Sequence, residues 1–536
     1  MVDELKVEER LRWDSLTNMI LGLCHEHSAH LPLEFKSENK PKLVIQALGG
    51  ATTHLTVEVT VAALGVMAKE PAMYSARVGL ISGSCKRETG EDHAKILKTM
   101  GRPIVGEAII CLTFKAALSP SSPIYRLLVD LEFMHFMVGE DDLTGDKDYK
   151  HNFKQLHNWL LHKRGLHAGD LDISMSVIRS QLLLRPNDHQ DVKLAYDLLC
   201  EIWRLPRLDD VSGKSLRFIE TQETLQMLGS FFRHLIFPYI CTSLDLSDQL
   251  RHLSAAAHLL LALTCKTNAG AHFMPTQLYI DLMLMIKNVF FCIAKTQVDN
   301  PDGEFWLILL GTDHLEILFG ILRTMVGSDS NVDLLQLALH VTGTTEVSTI
   351  LALFPHWDSA PCRLKLPVLL ENDIEIEQKQ DHITPSSWKG NVAVKNVNLH
   401  TTWIMGRKDI EGEFPELGSV LNSLSDKRTA GDDINILQPF GEDIVHAERA
   451  ADDIDDSTED YFASGTSTSP SPGQPPPEPF TEDAVAEDDI QQKHSPTFTL
   501  QGKGVYKARW LNQLFRDYKN PQAGSQDRLK HVANLP

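Results

Sequence analysis

The chain has 536 residues, enough for roughly two to four domains, and a formal net charge of −21, which disfavours a protein that binds nucleic acid through its overall charge. The eight cysteines form no CxxC pair, which argues against a zinc ribbon and a disulfide framework. The charged N-terminus and the lack of about twenty consecutive apolar residues exclude a signal sequence and a membrane anchor, and predict a soluble intracellular protein without a membrane partner.

Residues 1 to about 115 mix two kinds of hydrophobic periodicity, which predicts an α/β region. Runs rich in apolar and β-branched residues predict strands at 42–50, 73–84 and 105–114. Apolar residues at three- and four-residue spacing predict helices at 59–70 and 92–100.

The sequence CHEHSAH at residues 24–30 brings Cys24, His25 and His27 close together along the chain. A tetrahedral zinc site needs four ligands, and no second pair lies nearby in the sequence. The sequence therefore predicts no metal site at this segment. Other cysteines, such as Cys265 and Cys292, lie in apolar helical runs and are predicted to be buried thiols.

From Ile124 to about Leu353 the pattern changes to long runs with helical spacing, of which 250–265 and 278–297 are the clearest. These runs predict an all-helical block. Their apolar stripes are typical of core packing rather than of a cofactor pocket.

Residues 139–158 place a group of acids directly before one of these helical runs: Asp141, Asp142, Asp146 and Asp148. Asp148 precedes the helix-like run at 153–163 and can cap its N-terminus by accepting backbone hydrogen bonds. The stretch that follows, 149–164, is basic and can form a local basic groove in spite of the acidic chain.

Residues 311–331 set polar residues into an apolar helical segment. On a helix, Glu316, Gly320 and Arg323 share one face, and an adjoining apolar stripe is formed by Leu315, Leu318, Phe319 and Leu322. Glu316 has two interpretations. It is either a solvated or Arg-paired surface carboxylate, or a metal ligand on a rigidly packed helix.

The C-terminal part changes character twice. Residues 356–440 carry short, scattered apolar runs and predict an irregular segment. Residues 441–500 are rich in Pro, Ser, Thr and acid, and predict a disordered acidic linker that can recruit protein partners, because they cannot bury enough apolar surface to offset chain entropy. Residues 501–536 predict a basic amphipathic tail, either a helix that binds nucleic acid or a partner, or a solvated terminal helix.

Four segments resemble P-element-like transposases in that family's chain order. The pattern DHLExxFGxxRxxxGxxxN, which begins at Asp313, resembles the segment that carries the family's last acid. Residues 148–158 resemble the segment of the second acid, and the positions in register are Asp148, His151, Lys154 and Asn158. Residues 1–22 resemble the opening strand with Asp3 as the first acid, and 191–203 resemble a family helix.

This resemblance covers roughly residues 1 to 340. It implies a truncated or domesticated fungal-type copy, since the family's N-terminal zinc-binding DNA-recognition module is missing and only two residues precede Asp3. A strand that begins so late would be weakly held, because ordinary strands span about five or six residues.

The fold implied is α+β and predominantly helical, an RNase H-like mixed sheet interrupted by a large helical insertion. The domains are then 1–164, the first part of the RNase H-like core; 165–305, the helical insertion; and 306–355, the closing helices with Glu316. The irregular, acidic and basic segments at 356–440, 441–500 and 501–536 follow.

The chemistry implied is DNA cleavage and strand transfer with two Mg²⁺ or Mn²⁺ ions, held by Asp3, Asp148 and Glu316. Asp141, Asp142 and Asp146 remain rivals for the second acid. In this interpretation Lys154 and Arg323 contact DNA phosphate, His151 orients an acid, and the protein is nuclear.

The alternative is a catalytically dead transposase remnant that serves as a helical DNA- or protein-binding module. Some members of the family bind GTP, but the chain has no GxxxxGK[ST] loop, and the sequence leaves both GTP binding and the oligomeric state undetermined.

Overall fold

The computed structural model describes residues 1–50, 52–69, 76–87, 113–161, 166–168, 171–173, 192–205, 215–266, 274–325, 332–354, 357, 368–369, 375–376, 385–440 and 494–519. The described parts form an α+β protein that is predominantly helical, as the sequence predicted. The predicted strand at 105–114 and helix at 92–100 lie almost wholly outside the described residues, as does most of the acidic segment at 441–500.

A three-stranded antiparallel sheet carries the N-terminus. Its strands are ordered β1 (Val2–Lys6), β4 (Glu58–Leu64), β5 (Arg77–Ser84). Strand β1 pairs with β4 from Val2↔Ala62 to Lys6↔Glu58. All strand pairs among the described residues are antiparallel, so the RNase H-like mixed sheet stays a prediction.

The expectation that the opening strand would be weakly held was wrong. Strand β1 is paired over its full length, and the pairing continues outward because the Ala63 amide donates to the Met1 carbonyl at 2.9 Å. At the other end the Val7 amide donates to the Val57 carbonyl at 3.0 Å. Asp3 therefore stands on a firmly paired strand.

Two N-terminal segments were predicted in the wrong class. Residues 42–50, predicted as a strand, lie mainly in helix α2 (Asn39–Leu48), whose buried Val44 and Leu48 have helical i, i+4 spacing. Residues 59–70, predicted as a helix, instead contribute strand β4. That strand is buried on both faces, so its sequence is a continuous apolar run that periodicity cannot distinguish from a helix. The strand predicted at 73–84 is confirmed by β5.

Smaller elements complete the N-terminal region: β2 (Arg12–Trp13) pairs with β3 (Ile20–Leu21), followed by the short helix α1 (His25–Ser28). The next described elements are β6 (Ala116–Ala117), α3 (Tyr125–Leu128), β7 (Met137–Val138), α4 (Tyr149–Leu160), β8 (Leu166–Ala168) and β9 (Leu171–Ile173).

The predicted helical block is confirmed as a succession of long helices. They are α5 (Val192–Trp203), α6 (Leu216–Ile240), α7 (Leu246–Lys266), α8 (Thr276–Asp299), α9 (Asp313–Met325) and α10 (Leu334–Leu353). Helices α7 and α8 run through the largest apolar core of the described protein and are buried on most of their faces. This all-round burial explains their nearly continuous apolar sequences.

Among the described helices, α8 is long and apolar enough to cross a membrane. Its most apolar window is 89% buried inside the protein, which is how the core helix of a soluble protein is packed.

Residues 356–440, predicted to be irregular, contain two well-packed helices, α11 (Leu399–Glu413) and α12 (Pro415–Thr429). Helix α11 buries Trp403 in the main core and lies directly against α7. Helix α11 was not predicted because threonines and glycines interrupt its apolar spacing. One of these glycines, Gly406, permits the close contact between α11 and α7. Short strands β10 (Val368–Leu369) and β11 (Glu375–Ile376) precede these helices.

The tail forms a hairpin, β12 (Thr497–Leu500) and β13 (Lys503–Tyr506), and the predicted amphipathic helix α13 (Lys507–Lys519). The apolar face of α13 is used inside the protein, since Trp510, Leu511 and Phe515 pack with Trp13 and Phe35 among others. The apolar face of α13 is therefore occupied within the protein, and binding of nucleic acid or a partner by the basic residues of the tail stays a prediction.

The contact at Gly406 generates a stability prediction. A Cβ atom at Gly406 would lie 2.5 Å from the Arg251 carbonyl oxygen and 2.6 Å from the Ala255 amide nitrogen, both fixed backbone atoms of α7. Gly406→Ala should therefore lower the free energy of unfolding by about 1–3 kcal/mol, measured by urea denaturation.

Gly412 on the same helix is the matched control, because a Cβ there meets nothing within 4 Å. Gly412→Ala should be neutral or stabilising by roughly 0.4–1 kcal/mol. Equal effects of the two substitutions would contradict the close approach of α11 and α7.

Candidate functional site

The three predicted acids stand on three elements that meet at one edge of the N-terminal sheet. Asp3 lies on β1, Asp148 directly precedes α4, and Glu316 lies in the first turn of α9. Helix α9 packs on the sheet through the apolar stripe predicted from the sequence, because Leu315, Leu318, Phe319 and Leu322 share a core with Leu5, Val59 and Val61. This packing holds Glu316 on a rigid support.

Asp148 joins α4 to the start of α9. One carboxylate oxygen accepts from the Lys150 amide at 2.7 Å, so Asp148 is the N-cap of α4, as one interpretation of the sequence proposed. The other oxygen accepts from the Thr312 amide at 2.9 Å and the Thr312 hydroxyl at 3.1 Å. The side chain is only 7% exposed, so these bonds hold it in place.

Gly311 allows this junction to form. Its φ of +139° is disfavoured for residues with a side chain, and a Cβ atom there would lie 2.8 Å from the Asp148 Oδ2 atom. A few residues away, the Lys150 ammonium is paired with the Asp313 carboxylate in a largely buried ion pair. The starts of α4 and α9 are thus fixed to one another by two separate polar contacts.

Asp3 responds electrostatically to the other two acids. Burial chiefly, and the charges of Glu316 and Asp148 to a smaller extent, raise its pKa from 3.8 to about 6, while a hydrogen bond from the Glu4 amide and the nearby His151 oppose the rise. Glu316 and Asp148 therefore lie close enough to disfavour the ionised form of Asp3.

The pKa of Tyr149 is also raised by nearby negative charge. Tyr149 is buried and stacked on Tyr239 with ring centroids 4.3 Å apart. Burial raises its pKa well above 10, and the charges of Asp313, Asp148 and Glu316 act in the same direction. Acids from two helices thus surround the N-terminus of α4.

Of the rivals for the second acid, Asp146 has the most unusual environment. Burial chiefly, and then the Asp148 charge, raise its pKa to about 7, and its Oδ1 atom is buried without a hydrogen-bond partner. Asp141 and Asp142 lie in a short 3-10 turn with positive φ values, where Asp142 accepts from the Ser122 hydroxyl at 2.5 Å. Asp148 is the one of these four that acts on Asp3.

Two of the predicted polar residues lie near Asp3. Arg323 is exposed at its position on α9, yet burial of part of the side chain lowers its pKa while the charge of Asp3 raises it. His151 also acts on Asp3, and it lies with Lys154 on the less buried face of α4. The contact of Lys154 with DNA phosphate stays a prediction.

The acids do not form a compact cage for one ion. Within the described ranges, the group of three potential ligand atoms that all lie within 4.8 Å of one another is Cys24, His27 and Cys85, at a different place. That group was missed by sequence reasoning because Cys85 is 58 residues from His27. Asp146 was considered from the sequence, but its buried, unpaired oxygen could not be foreseen.

Comparison with known proteins adds little. The chain matches no protein-family model and no curated protein. It is similar to a chain of the solved Drosophila P element transposase strand transfer complex, with a TM-score of 0.40 and 14% sequence identity over 66% of this chain and 76% of that chain. A likeness at this level leaves the family of the chain unassigned.

The raised pKa of Asp3 predicts a pH-dependent stability effect. The folded state takes up a proton near pH 6, whereas the unfolded chain does so near 3.8, so stability contributed by this residue falls as pH rises from about 4 to about 7. Asp3→Asn should therefore melt at a higher temperature than the wild type at about pH 7.5, with the difference vanishing near pH 4.

Thermal unfolding in EDTA measures this effect, and the exposed Asp433→Asn serves as the control. The control should change the melting temperature little across the same pH range. A melting temperature of Asp3→Asn below that of the wild type at about pH 7.5 would contradict the prediction, because it would show that the folded protein stabilises the Asp3 charge.

Proposed function

We propose that the protein is a transposase-like enzyme that cleaves or transfers DNA phosphodiesters with the help of divalent metal ions bound by Asp3, Asp148 and Glu316. The observation that supports this most directly is that Glu316 and Asp148, both far from Asp3 in the sequence, contribute with burial to the raised pKa of Asp3. The acids selected from motif register thus include two that influence the third in the folded chain.

The donor set suits Mg²⁺ or Mn²⁺. Both are bound by hard oxygen ligands, and Mg²⁺ typically takes one or two carboxylates together with water and substrate phosphate. The unpaired Oδ1 atom of Asp146, beside Asp148, adds a further oxygen at the same place. When bound, such ions would stabilise the attacking and leaving oxygens of an in-line displacement at phosphorus.

The protein's own residues have distinct roles in this proposal. Glu316 and Asp3 present carboxylates from rigid elements, and Asp148 fixes the two helix starts as well as contributing charge. His151 lowers the pKa of Asp3 and so favours its ionised, ligating form. Lys154 and Arg323 would bind DNA phosphates beside the metal ions.

Other parts of the proposal rest on the resemblance or on composition alone. A nuclear location follows from the resemblance. Protein partners follow from the acidic composition of 441–500. GTP binding and the oligomeric state have no supporting residues in the described structure.

The proposed metal site predicts which substitutions abolish stabilisation by metal and nicking of DNA. Mg²⁺ or Mn²⁺ should raise the melting temperature of the wild type at neutral pH, because binding to the folded state alone stabilises it by mass action. Metal should also support nicking of a supercoiled plasmid. Glu316→Gln and Asp3→Asn should abolish both effects while leaving the circular dichroism spectrum unchanged.

Asp433→Asn should behave as the wild type in the same assays, since Asp433 is an exposed residue after α12. Metal-dependent nicking that survives Glu316→Gln would exclude the assigned site. Substitution of Asp148 is a poor test, because loss of its hydrogen bonds would also loosen the two helices.

A second candidate function is a catalytically inactive DNA- or protein-binding module. The commitment of both Asp148 oxygens to three protein donors favours it, since this is a structural use of the carboxylate. The plasmid and melting assays separate the two functions. If the protein is an inactive module, the wild-type protein binds DNA but shows neither nicking nor stabilisation by metal.

Both functions predict phosphate contacts by Lys154 and Arg323. Affinity for duplex DNA should fall linearly with the logarithm of salt concentration, with a slope of about −0.9 per phosphate neutralised. Lys154→Ala and Arg323→Ala should each reduce the magnitude of that slope by about 0.9, measured by fluorescence anisotropy.

The exposed Lys408→Ala on helix α11 is the matched control and should leave the slope unchanged. A slope that is the same in Lys154→Ala, Arg323→Ala and the wild type would place the DNA surface elsewhere.

A further inference from the structure

Two cysteines and two histidines from three distant segments meet beside the N-terminal sheet. Cys24 and His27 lie at helix α1, His54 lies in the segment that leads into β4, and Cys85 follows the end of β5. Cys24 is fully buried and Cys85 is 7% exposed, and neither is joined in a disulfide. None of these residues belongs to the carboxylate site.

The distances between their ligand atoms match those around a tetrahedral zinc ion. The His27 Nδ1 atom lies 3.2 Å from the Cys24 Sγ atom and 3.5 Å from the Cys85 Sγ atom. With Zn–S near 2.3 Å and Zn–N near 2.0–2.1 Å, tetrahedral geometry places a sulfur and a nitrogen ligand about 3.5–3.6 Å apart. The ligand atoms of Cys24, His27 and Cys85 all lie within 4.8 Å of one another.

Backbone pairing holds the three segments in this arrangement. The Cys24 amide donates to the His54 carbonyl at 3.0 Å, and the Thr56 amide donates to the Gly22 carbonyl at 3.0 Å. The Val57 amide donates to the Ser84 carbonyl at 2.9 Å, next to Cys85. Because the backbone fixes the positions of the side chains, little reorganisation is needed for a metal ion to bind.

We propose that Cys24, His27 and Cys85 bind a structural zinc ion, with His54 as the fourth ligand. The thiolate and imidazole donors are soft or borderline, which selects zinc over the magnesium expected at the carboxylates. The His54 Nδ1 atom lies 3.6 Å from the Cys85 Sγ atom, which is again the tetrahedral separation.

His54 requires one rearrangement to serve as the fourth ligand. Its Nε2 atom lies 3.0 Å from a guanidinium nitrogen of Arg87, which can only donate, so this nitrogen accepts and the Nδ1 atom carries the proton. Zinc on the Nδ1 atom moves the proton to the Nε2 atom and displaces Arg87. Arg87 is exposed at the surface.

The position of the site indicates what the ion would do. It lies where β4 and β5 end their pairing at Glu58↔Ser84, and β4 pairs with Asp3 through Val61, three residues further along. A zinc ion would fix that end of the sheet and, through β4, the strand that carries Asp3. The role is structural and independent of catalysis.

The test uses the full chain purified under reducing conditions. We expect about one zinc per chain by elemental analysis, retained through gel filtration. After removal of zinc, Co²⁺ should produce a thiolate-to-cobalt charge-transfer band and the intense visible bands of tetrahedral cobalt. Cys24→Ser and Cys85→Ser should each lose the metal or the charge-transfer intensity of one thiolate. His27→Ala should lose the metal or bind it more weakly.

Cys200→Ser and Cys265→Ser are matched controls on helices α5 and α7 and should retain the full metal content. His54→Ala should weaken cobalt binding and change the visible bands, and an unchanged spectrum would remove it from the ligand set. Where a variant does not fold, titration of the wild type with cobalt still tests whether these residues bind a metal ion. A metal-free wild type without a thiolate–cobalt band, or with Cys24 and Cys85 joined in a disulfide, would overturn the proposal.

Discussion

The carboxylate of Asp148 is the polar contact on which the arrangement of the candidate site depends. It connects the start of α4 to Thr312 across 164 residues of sequence, through bonds of 2.9 and 3.1 Å. A buried carboxylate is tolerated only when hydrogen bonds compensate its lost hydration, and here a helix N-terminus and a loop amide do so. Because both helix starts are fixed by one residue, Glu316 is brought to the sheet edge where Asp3 lies.

This arrangement concentrates negative charge where folding would ordinarily avoid it. Burial and repulsion both oppose ionisation of Asp3 and Asp146, and both carboxyls have pKa values well above the ordinary 3.8. Like-charged, partly buried carboxyls reduce stability at neutral pH unless a cation relieves them. The Lys150 ammonium is already engaged by Asp313, so it does not neutralise Asp3 directly. A divalent cation would relieve both effects at once.

Sequence patterns were informative where one face of an element is buried and the other is not. The stripe on α9 and the cap at Asp148 followed directly from spacing, since Leu315 and Leu318 recur with helical period and an aspartate precedes a helical run. Strand β4 was misassigned because burial on both faces removes the alternation by which strands are recognised. Helix α11 was missed because its packing depends on Gly406 lying against α7, a contact between distant segments that sequence periodicity does not record.

Contacts between distant segments also limited the prediction of the two proposed metal sites. The sites differ in how many of their residues could be identified from the sequence. The acids were selected through their register in motifs that resemble one family, which left open their convergence in space and the choice of the second acid among Asp141, Asp142, Asp146 and Asp148. The Cys24 and His27 pair was rejected because its partners are distant in sequence, but β-pairing at Glu58↔Ser84 carries Cys85 to it. One sheet therefore connects the two donor sets, since β1 carries Asp3 and the end of β5 leads into Cys85. Because the two sets have opposite metal preferences, each can select its own ion from the same solution.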